Sequence, residues 1–274
     1  MSLVEPTLTL APSHRQALLR AISRLEDQDF AGRLADYAGQ PVARALRLMP
    51  RFASKRINRA VEIAILNCLK VAIRSIEPQS KRPPAQRASS VLVGLTGGVS
   101  GFFGAPALAL ELPVTTTLML RAIADIARHH GEDLSKLEAR LACIEVFALG
   151  APKSGRPAHL GYYASRAFLG RLTADASALL LERSVANLSA PVVSGLVAEI
   201  AARFGLVVSE RAAASAVPVL GAVGGATVNV IFMNHFQRVA QGHFVVRRLE
   251  REYGPSVVRE VYEELSARRR AAKT

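Results

Sequence analysis

The sequence predicts an all-α fold: a multi-helix domain built around two central Gly-rich apolar helical segments, at about 91–120 and 212–236. Three observations predict it. Half of the 274 residues are hydrophobic, yet only 5% are aromatic and none is Trp, a balance that suits packed helices better than a β-sandwich. Outside the two segments, apolar residues recur at spacings of three and four, the period of one helix face. The run from Val91 to Leu120 holds one ionisable residue, Glu111, and the run from Ala212 to Asn234 holds none.

Residues 1–12 read as a loose leader without the basic-then-apolar pattern of a signal peptide. Ser13 with Gln16 matches a capping box and opens a first helix, with Leu18, Leu19, Ile22 and Leu25 on its apolar side. After Gly39-Gln40-Pro41 a second helix begins. It carries Arg44, Arg47, Arg51, Lys55 and Arg59 at spacings of 3, 4, 4 and 4, a cationic ridge interrupted by Pro50. From Ile57 the segment turns apolar, with Val61, Ala64, Ile65, Cys68, Leu69, Ala72 and Ile76 on one face. The ridge is either a solvated helix face or a dock for anionic lipid headgroups, worth about 1 kcal/mol per basic residue near such a surface. Glu77 to Ala88, with three prolines, three basic residues and no large apolar one, is a linker. It divides an N-terminal basic helical layer (1–77) from a helical core (89–265), which is followed by a basic tail (266–274).

The core opens on the first apolar segment. Gly94, Gly97, Gly101 and Gly104 are spaced 3, 4 and 3 apart and share one helical stripe; Val217, Gly221, Gly225 and Val228 form a similar stripe in the second. Glycine costs roughly 1 kcal/mol in a helix interior, so such stripes call for close approach of a neighbouring helix. Both segments reach the length of about 20 apolar residues that spans a bilayer. They are therefore either buried central helices or a membrane-inserting hairpin, and their Gly, Ala and Thr content favours burial in protein.

Glu111-Leu112-Pro113 predicts a break, with Pro113 starting a new helix that runs to about His130 and Glu111 beside its positive end. Arg121 and Asp125, four apart, can pair within it. His129-His130-Gly131 ends that helix, and Ser135 with Glu138 matches a second capping box, opening a helix with Leu137, Leu141, Ile144 and Ala148 inward. Gly150 to Pro157 is a loop. Helices follow around Tyr162–Leu181 and Pro191–Phe204. The charged region after Phe236 breaks at Gly254-Pro255 before a last helix through Tyr262.

The net charge of +13 favours anionic partners, nucleic acid or an anionic membrane surface. Without aromatic residues interleaved among the basic ones, a nucleic-acid platform is not expected. Cys68 and Cys143 form no paired motif, which points to a reducing cytoplasm. Gly98-Val99-Ser100-Gly101 lacks the glycine a nucleophile elbow needs, with Phe102 in its place. No phosphate loop or dinucleotide fingerprint occurs, so no cofactor is expected. His129 and His130 diverge by about 100° on a helix, so no metal is expected there.

What remains is a polar set in apolar surroundings: Glu111, Arg121, Asp125, Asn229, Asn234 and His235. A buried carboxylate must be paired, hydrogen-bonded or protonated. Either Arg121 or Asn229 satisfies Glu111 in a structural network, or the set forms the polar floor of a cavity that orients an amphiphile's headgroup. In the second case an acyl tail runs along grooves lined by Gly97, Gly101, Gly221 and Gly225.

Several blocks, in order, resemble the EcsC family of bacterial proteins. They are Gly94 through Glu111-Leu112-Pro113 to Leu120-Arg121-Ala122-Ile123-Ala124, then Gly131, then Glu138-Ala139-Arg140. Gly161-Tyr162-Tyr163-Ala164-Ser165-Arg166, Val217 to Ala222 with Asn229, Arg247-Arg248-Leu249-Glu250 and Tyr253-Gly254 complete the set, over roughly residues 60–265. The resemblance implies a helical, cytoplasm-facing protein with a membrane connection, related to transport or secretion, and no catalytic activity. The leading expectation is a non-enzymatic protein peripheral at the inner membrane that binds a lipid or fatty acid, or a membrane-protein partner. The alternative is an enzyme acting on a hydrophobic substrate, with Glu111 as acid or base assisted by His235.

Overall fold

The structure, a computed structural model, describes residues 10–26, 30, 32–33, 51–73, 105–151, 158–183, 190–215 and 221–272. Every regular element among them is helical: α1 (Pro12–Glu26), α2 (Arg51–Ile73), α3 (Ala105–His129), α4 (Leu137–Leu149), α5 (Ala158–Arg183), α6 (Pro191–Ser215), α7 (Gly221–Tyr253) and α8 (Pro255–Ala271). Arg44, Arg47, Gly97, Gly101 and the linker at 77–88 lie outside the described residues, as do the side chains of Arg51 and Lys55 and the surroundings of Gly221 and Gly225.

Helix α4 shows how the core is organised. Its sequence, LEARLACIEVFAL, has apolar residues all round, and a helix without a polar face belongs in an interior. It is buried from Leu141 to Leu149 without interruption and packs on α2, α3, α5, α6 and α7. Around it, α2 lies against α3 and α6, and α3 against α7. Helix α1 buries Leu18, Ala21, Ile22 and Leu25 against α7, while Leu19, expected inward, is 41% exposed. Residues of α1 and α2 thus share one hydrophobic core with the helices after the linker. Both thiols, Cys68 and Cys143, are free and buried.

Two helix ends follow their sequence signals. Gly131 (φ +80°) closes α3: its N–H donates to Arg128 O and that of Glu132 to Ala127 O, the paired bonds of a left-handed C-terminal cap. Gly254 (φ +90°) and Pro255 at the first helical position turn α7 into α8.

Two signals fail. Pro113 sits inside α3 and starts nothing; the helix runs through it, with the Thr116 and Thr117 hydroxyls donating to carbonyls of the preceding turn, at 2.7 Å to Leu112 O and 2.7 Å to Pro113 O. Ser135 caps no helix. Its hydroxyl and N–H both bond to Asp133 (2.6 and 3.0 Å), and α4 begins at Leu137 with Lys136 as an uncapped N-cap. Of the segment at 212–236, Ala212 to Ser215 lie in α6 and the residues from Gly221 lie in the helix that runs to Tyr253, while 216–220 are outside the described residues.

Candidate functional site

Glu111, in the second turn of α3, receives hydrogen bonds from three directions. Thr115, one turn on, donates its hydroxyl at 2.9 Å; Asn229 of α7 donates its amide at 2.9 Å; Arg211 of α6 donates Nη2 at 2.7 Å, all to Oε1. Arg211 is 1% exposed and lies over the Phe232 ring, its guanidinium carbon 5.0 Å from the centroid. Burial pulls its pKa down while Glu111 pulls it up, and a guanidinium stays charged under both. The arrangement is an internal ion pair that pins α3, α6 and α7 together. Its geometry gives Glu111 the role of an acceptor satisfied by neighbours.

Of the polar set, then, the structure brings together Glu111 and Asn229. Arg121 is exposed on α3, and Asp125 pairs with Arg128 (2.9 Å), not with Arg121. Asn234 is exposed on α7. His235 lies six residues beyond Asn229, roughly 9 Å along the axis and about 240° round it, so it does not approach Glu111. Both its ring nitrogens are engaged: Nε2–H donates to Gly150 O (2.7 Å) and Nδ1 accepts from Arg33 Nη2 (3.2 Å). Burial, first, holds its pKa down to about 4, so the ring is neutral at pH 7. The proposed acid–base couple of Glu111 and His235 is therefore not assembled. Gly150 is required where His235 meets it, because a Cβ there would lie 2.5 Å from the Phe236 ring.

Arg211 escaped the sequence reading. It stands at the edge of an uncharged run, beside Glu210, where an arginine reads as a solvated flank; a helix ending near Phe204 would have left it in a connection. Its only signal was arithmetic: Glu111 needed a cation, and Arg121 is on the wrong face.

A second polar cluster joins blocks far apart in sequence. Arg166 of α5 makes a two-pronged ion pair with Glu250 of α7, at 2.6 and 2.5 Å. Tyr163 donates to the same carboxylate at 3.5 Å, and Tyr162 shares a hydrogen bond with the fully buried His243 (3.0 Å). Tyr262 of α8 stacks on Tyr162, centroids 5.5 Å apart. Nearby, Glu132 accepts from Arg247 (2.8 and 2.9 Å) and from Arg251; burial pushes its pKa up, but the two guanidinium groups outweigh it and hold it below the usual range. Arg140 Nη1 donates to Ala72 O at 2.8 Å, capping the end of α2. These ties give structural roles to Tyr162, Tyr163 and Arg166, to Arg140, and to Arg247 and Glu250 within those blocks.

The outer face of the molecule holds a further feature. Helix α6 exposes Pro191, Val192, Ser194, Gly195, Ala198, Ala202 and Leu206, an uncharged stripe opposite its buried side. Its Glu199 and Arg203 flank the stripe and pair with each other at 2.5 Å. On α5, Ala164, Ala167, Phe168, Ala174, Ala178 and Leu181 are exposed, with Arg171 and Asp175 among them. Arg203 reaches across to Phe168, 5.8 Å from its centroid, linking the two faces. Among the described residues α6 is the helix long and apolar enough to cross a membrane, over Pro191–Ala212 and half buried; the segments at 91–120 and 212–236 each include residues outside the described ones. No group of three His, Cys, Asp or Glu among the described residues is placed to hold a metal.

No curated protein and no solved structure matches the chain. A sequence profile does: it spans residues 13–249, taking in α1 and α2 as well as the blocks noted after residue 60. Over that span the chain belongs to the EcsC protein family.

Proposed function

We propose that this protein is a non-enzymatic, cytoplasm-facing peripheral membrane protein that binds an anionic lipid surface through the outer faces of α5 and α6. One observation carries the reading: the exposed face of α6 is uncharged as its buried face is, and beside it α5 exposes Phe168 and Leu181 with only Arg171 and Asp175 charged among its exposed residues. A globular surface helix normally turns a charged side to water, and one that is apolar all round is covered by something.

Magnitudes decide how firmly it would bind. Phe168 (47% exposed), Leu181 (72%), Val192 (38%) and Leu206 (48%) are about half in water. Fully burying such a side chain is worth about 1.5–3 kcal/mol, so the four together supply about 4 kcal/mol, a millimolar affinity. That is weak alone, and the excess of basic residues supplies the rest at about 1 kcal/mol for each one near an anionic surface. Of the predicted ridge, the described side chain is Arg59, exposed and 3.6 Å from Glu62, so its contribution is partly cancelled. Spanning is disfavoured for α6, because Arg211 at its end is held inside the protein by Glu111.

Flotation of the full chain with liposomes tests this. Binding should appear with phosphatidylcholine containing phosphatidylglycerol, weaken as salt rises, and fall by about tenfold when Phe168 and Leu206 become Ser, from the apolar burial lost. Unchanged binding in F168S/L206S, with the fold intact by circular dichroism, removes the α5–α6 face from the reading.

A further inference from the structure

We infer that Arg24, Arg248 and His130, with Arg238 and Arg251 beside them, form a binding site for a phosphate group. The site lies where α1 crosses the second half of α7 beside the end of α3. It goes beyond the membrane reading and does not need the α5–α6 face.

Close packing builds it. Gly242 on α7 has no side chain where α1 passes: a Cβ there would sit 2.7 Å from Leu25 Cγ and 3.1 Å from Ala21 O. With α1 this close, Arg24, in its last turn, is brought beside α7 near Arg238, one turn before Gly242, while Arg248 lies about 9 Å further along the axis. The residues from 238 to 248 span about 15 Å of helix, within reach of long side chains from either end. From α3, the His129 and His130 rings lie edge to face, 5.4 Å apart, and Arg251 Nη2 donates to His130 O at 2.6 Å.

Apart from Arg251, which Glu132 engages, the cluster has no paired counter-charge among the described residues. Glu132, the nearest carboxylate, is engaged by Arg247 and Arg251 and is 4% exposed in its side chain; Asp125 is engaged by Arg128, and Glu26 by Ser266. Among the described residues no carboxylate pairs with Arg20, Arg24, Arg238 or Arg248. Two nitrogens within the cluster, Arg248 Nε and His130 Nδ1, are buried and without a partner among these residues. An orphaned buried donor is worth about 1–3 kcal/mol of destabilisation, so such atoms are expected to meet a ligand that accepts from them. The charges also act on one another: Arg20 and Arg238 add to burial in lowering the Arg24 pKa, and burial, then Arg248, His129, Arg24 and Arg251, hold His130 down to about 4.

A cationic helix end alone is an insufficient explanation. Arg251 and Arg248 stand near the C-terminal end of α7, where the helix dipole favours cations. Arg238 is four turns earlier, and Arg24 comes from another helix. Guanidinium groups gathered at one crossing, with Arg24, Arg238 and Arg248 paired to no carboxylate among the described residues, offer the forked donors that phosphate oxygens accept, which a single ammonium cannot supply. The phosphate is either a free or small-molecule phosphate, or the headgroup of an anionic lipid.

Titration of the full chain with inorganic phosphate, followed by calorimetry and by NMR of the His130 ring, tests the site. Sedimentation with phosphatidylcholine vesicles containing phosphatidic acid provides the second arm. The variant R24Q/R248Q should weaken binding by about tenfold or more, while K70Q/K136Q, which removes the same charge elsewhere, changes it by less than about twofold. Saturable phosphate binding lost in R24Q/R248Q supports a soluble phosphate ligand; a loss confined to the vesicles supports a lipid headgroup. Vesicle binding absent while phosphate binding persists leaves the site standing and removes the membrane reading. Equal losses in both variants, or no saturable binding of either probe by the wild-type chain, overturn the proposal.

Discussion

Arg211 and Arg24 are both drawn out of water, and they are treated in opposite ways. Arg211, 1% exposed, has a carboxylate at 2.7 Å and an aromatic face beneath it. Arg24, only half-buried, has other arginines for company. For Arg211 the chain brings the opposite charge from a distant helix; for Arg24, among the described residues, it brings none. The first arrangement has its counter-ion within the molecule. The second is completed from outside, and that difference generates measurable consequences.

The largest expected effect is at the internal pair. Arg211→Met leaves Glu111 buried with its cation gone, and breaking one side of a buried ion pair costs about 3–5 kcal/mol. Urea denaturation should show that loss, and E111M/R211M should recover most of it, because an apolar replacement of both partners is close to neutral. A mild effect of R211M, under about 1 kcal/mol, would mean that Glu111 is satisfied without it and that the contrast with Arg24 is false.

How far this contrast could be read from sequence depends on which residues carry it. Glu111 and Asn229 stood out because each is polar inside an apolar run, and burial obliges such groups to find each other. Arg211 did not, since beside Glu210 it resembles an ordinary helix flank; only the length of α6, extending to Ser215, brings it inside. The phosphate site was illegible for another reason. Arg24, His130 and Arg248 belong to three helices, and what assembles them is the absence of a side chain at Gly242, which sequence presents as one glycine among 19. Local signals with one strong cause, Gly131 and Gly254-Pro255, read correctly. Pro113 and Ser135 did not, because helix packing carried α3 past the proline and Asp133 took the serine hydroxyl.

Two histidines sharpen the same contrast. His235 and His130 are both held down to about 4. For His235, burial is the leading cause and its hydrogen bonds lie within the protein. Above pH 6.5 neither the folded nor the unfolded ring binds a proton, so it contributes nothing. Between 6.5 and about 4 the unfolded chain takes up a proton that the folded one refuses, and stability falls as pH drops. At 1.36 kcal/mol per unit the loss is about 3 kcal/mol, visible as a falling unfolding midpoint. Phosphate should move the His235 titration less than that of His130, because Arg238 alone of the site's arginines acts on His235. His130 faces the arginines, so an anion bound there should raise its pKa. If phosphate moves both rings alike, or neither, the two regions do not differ as claimed.

The smallest effect is the most discriminating. Arg24→Gln, measured without phosphate, removes a cation whose neighbours repel it, and the change in stability should lie within about 0.5 kcal/mol of zero, toward stabilising. In the same variant His130 should titrate higher than in the wild type, because one of the charges depressing it is gone. Adding phosphate then separates the two chains. At a concentration of about 100 times the dissociation constant, a ligand bound to the folded state alone stabilises by about 2.7 kcal/mol, so the wild type should gain that much and R24Q far less. A loss of several kcal/mol in R24Q without phosphate would show instead that Arg24 is tied inside the protein as Arg211 is, and that the crossing of α1 and α7 is a second structural pin.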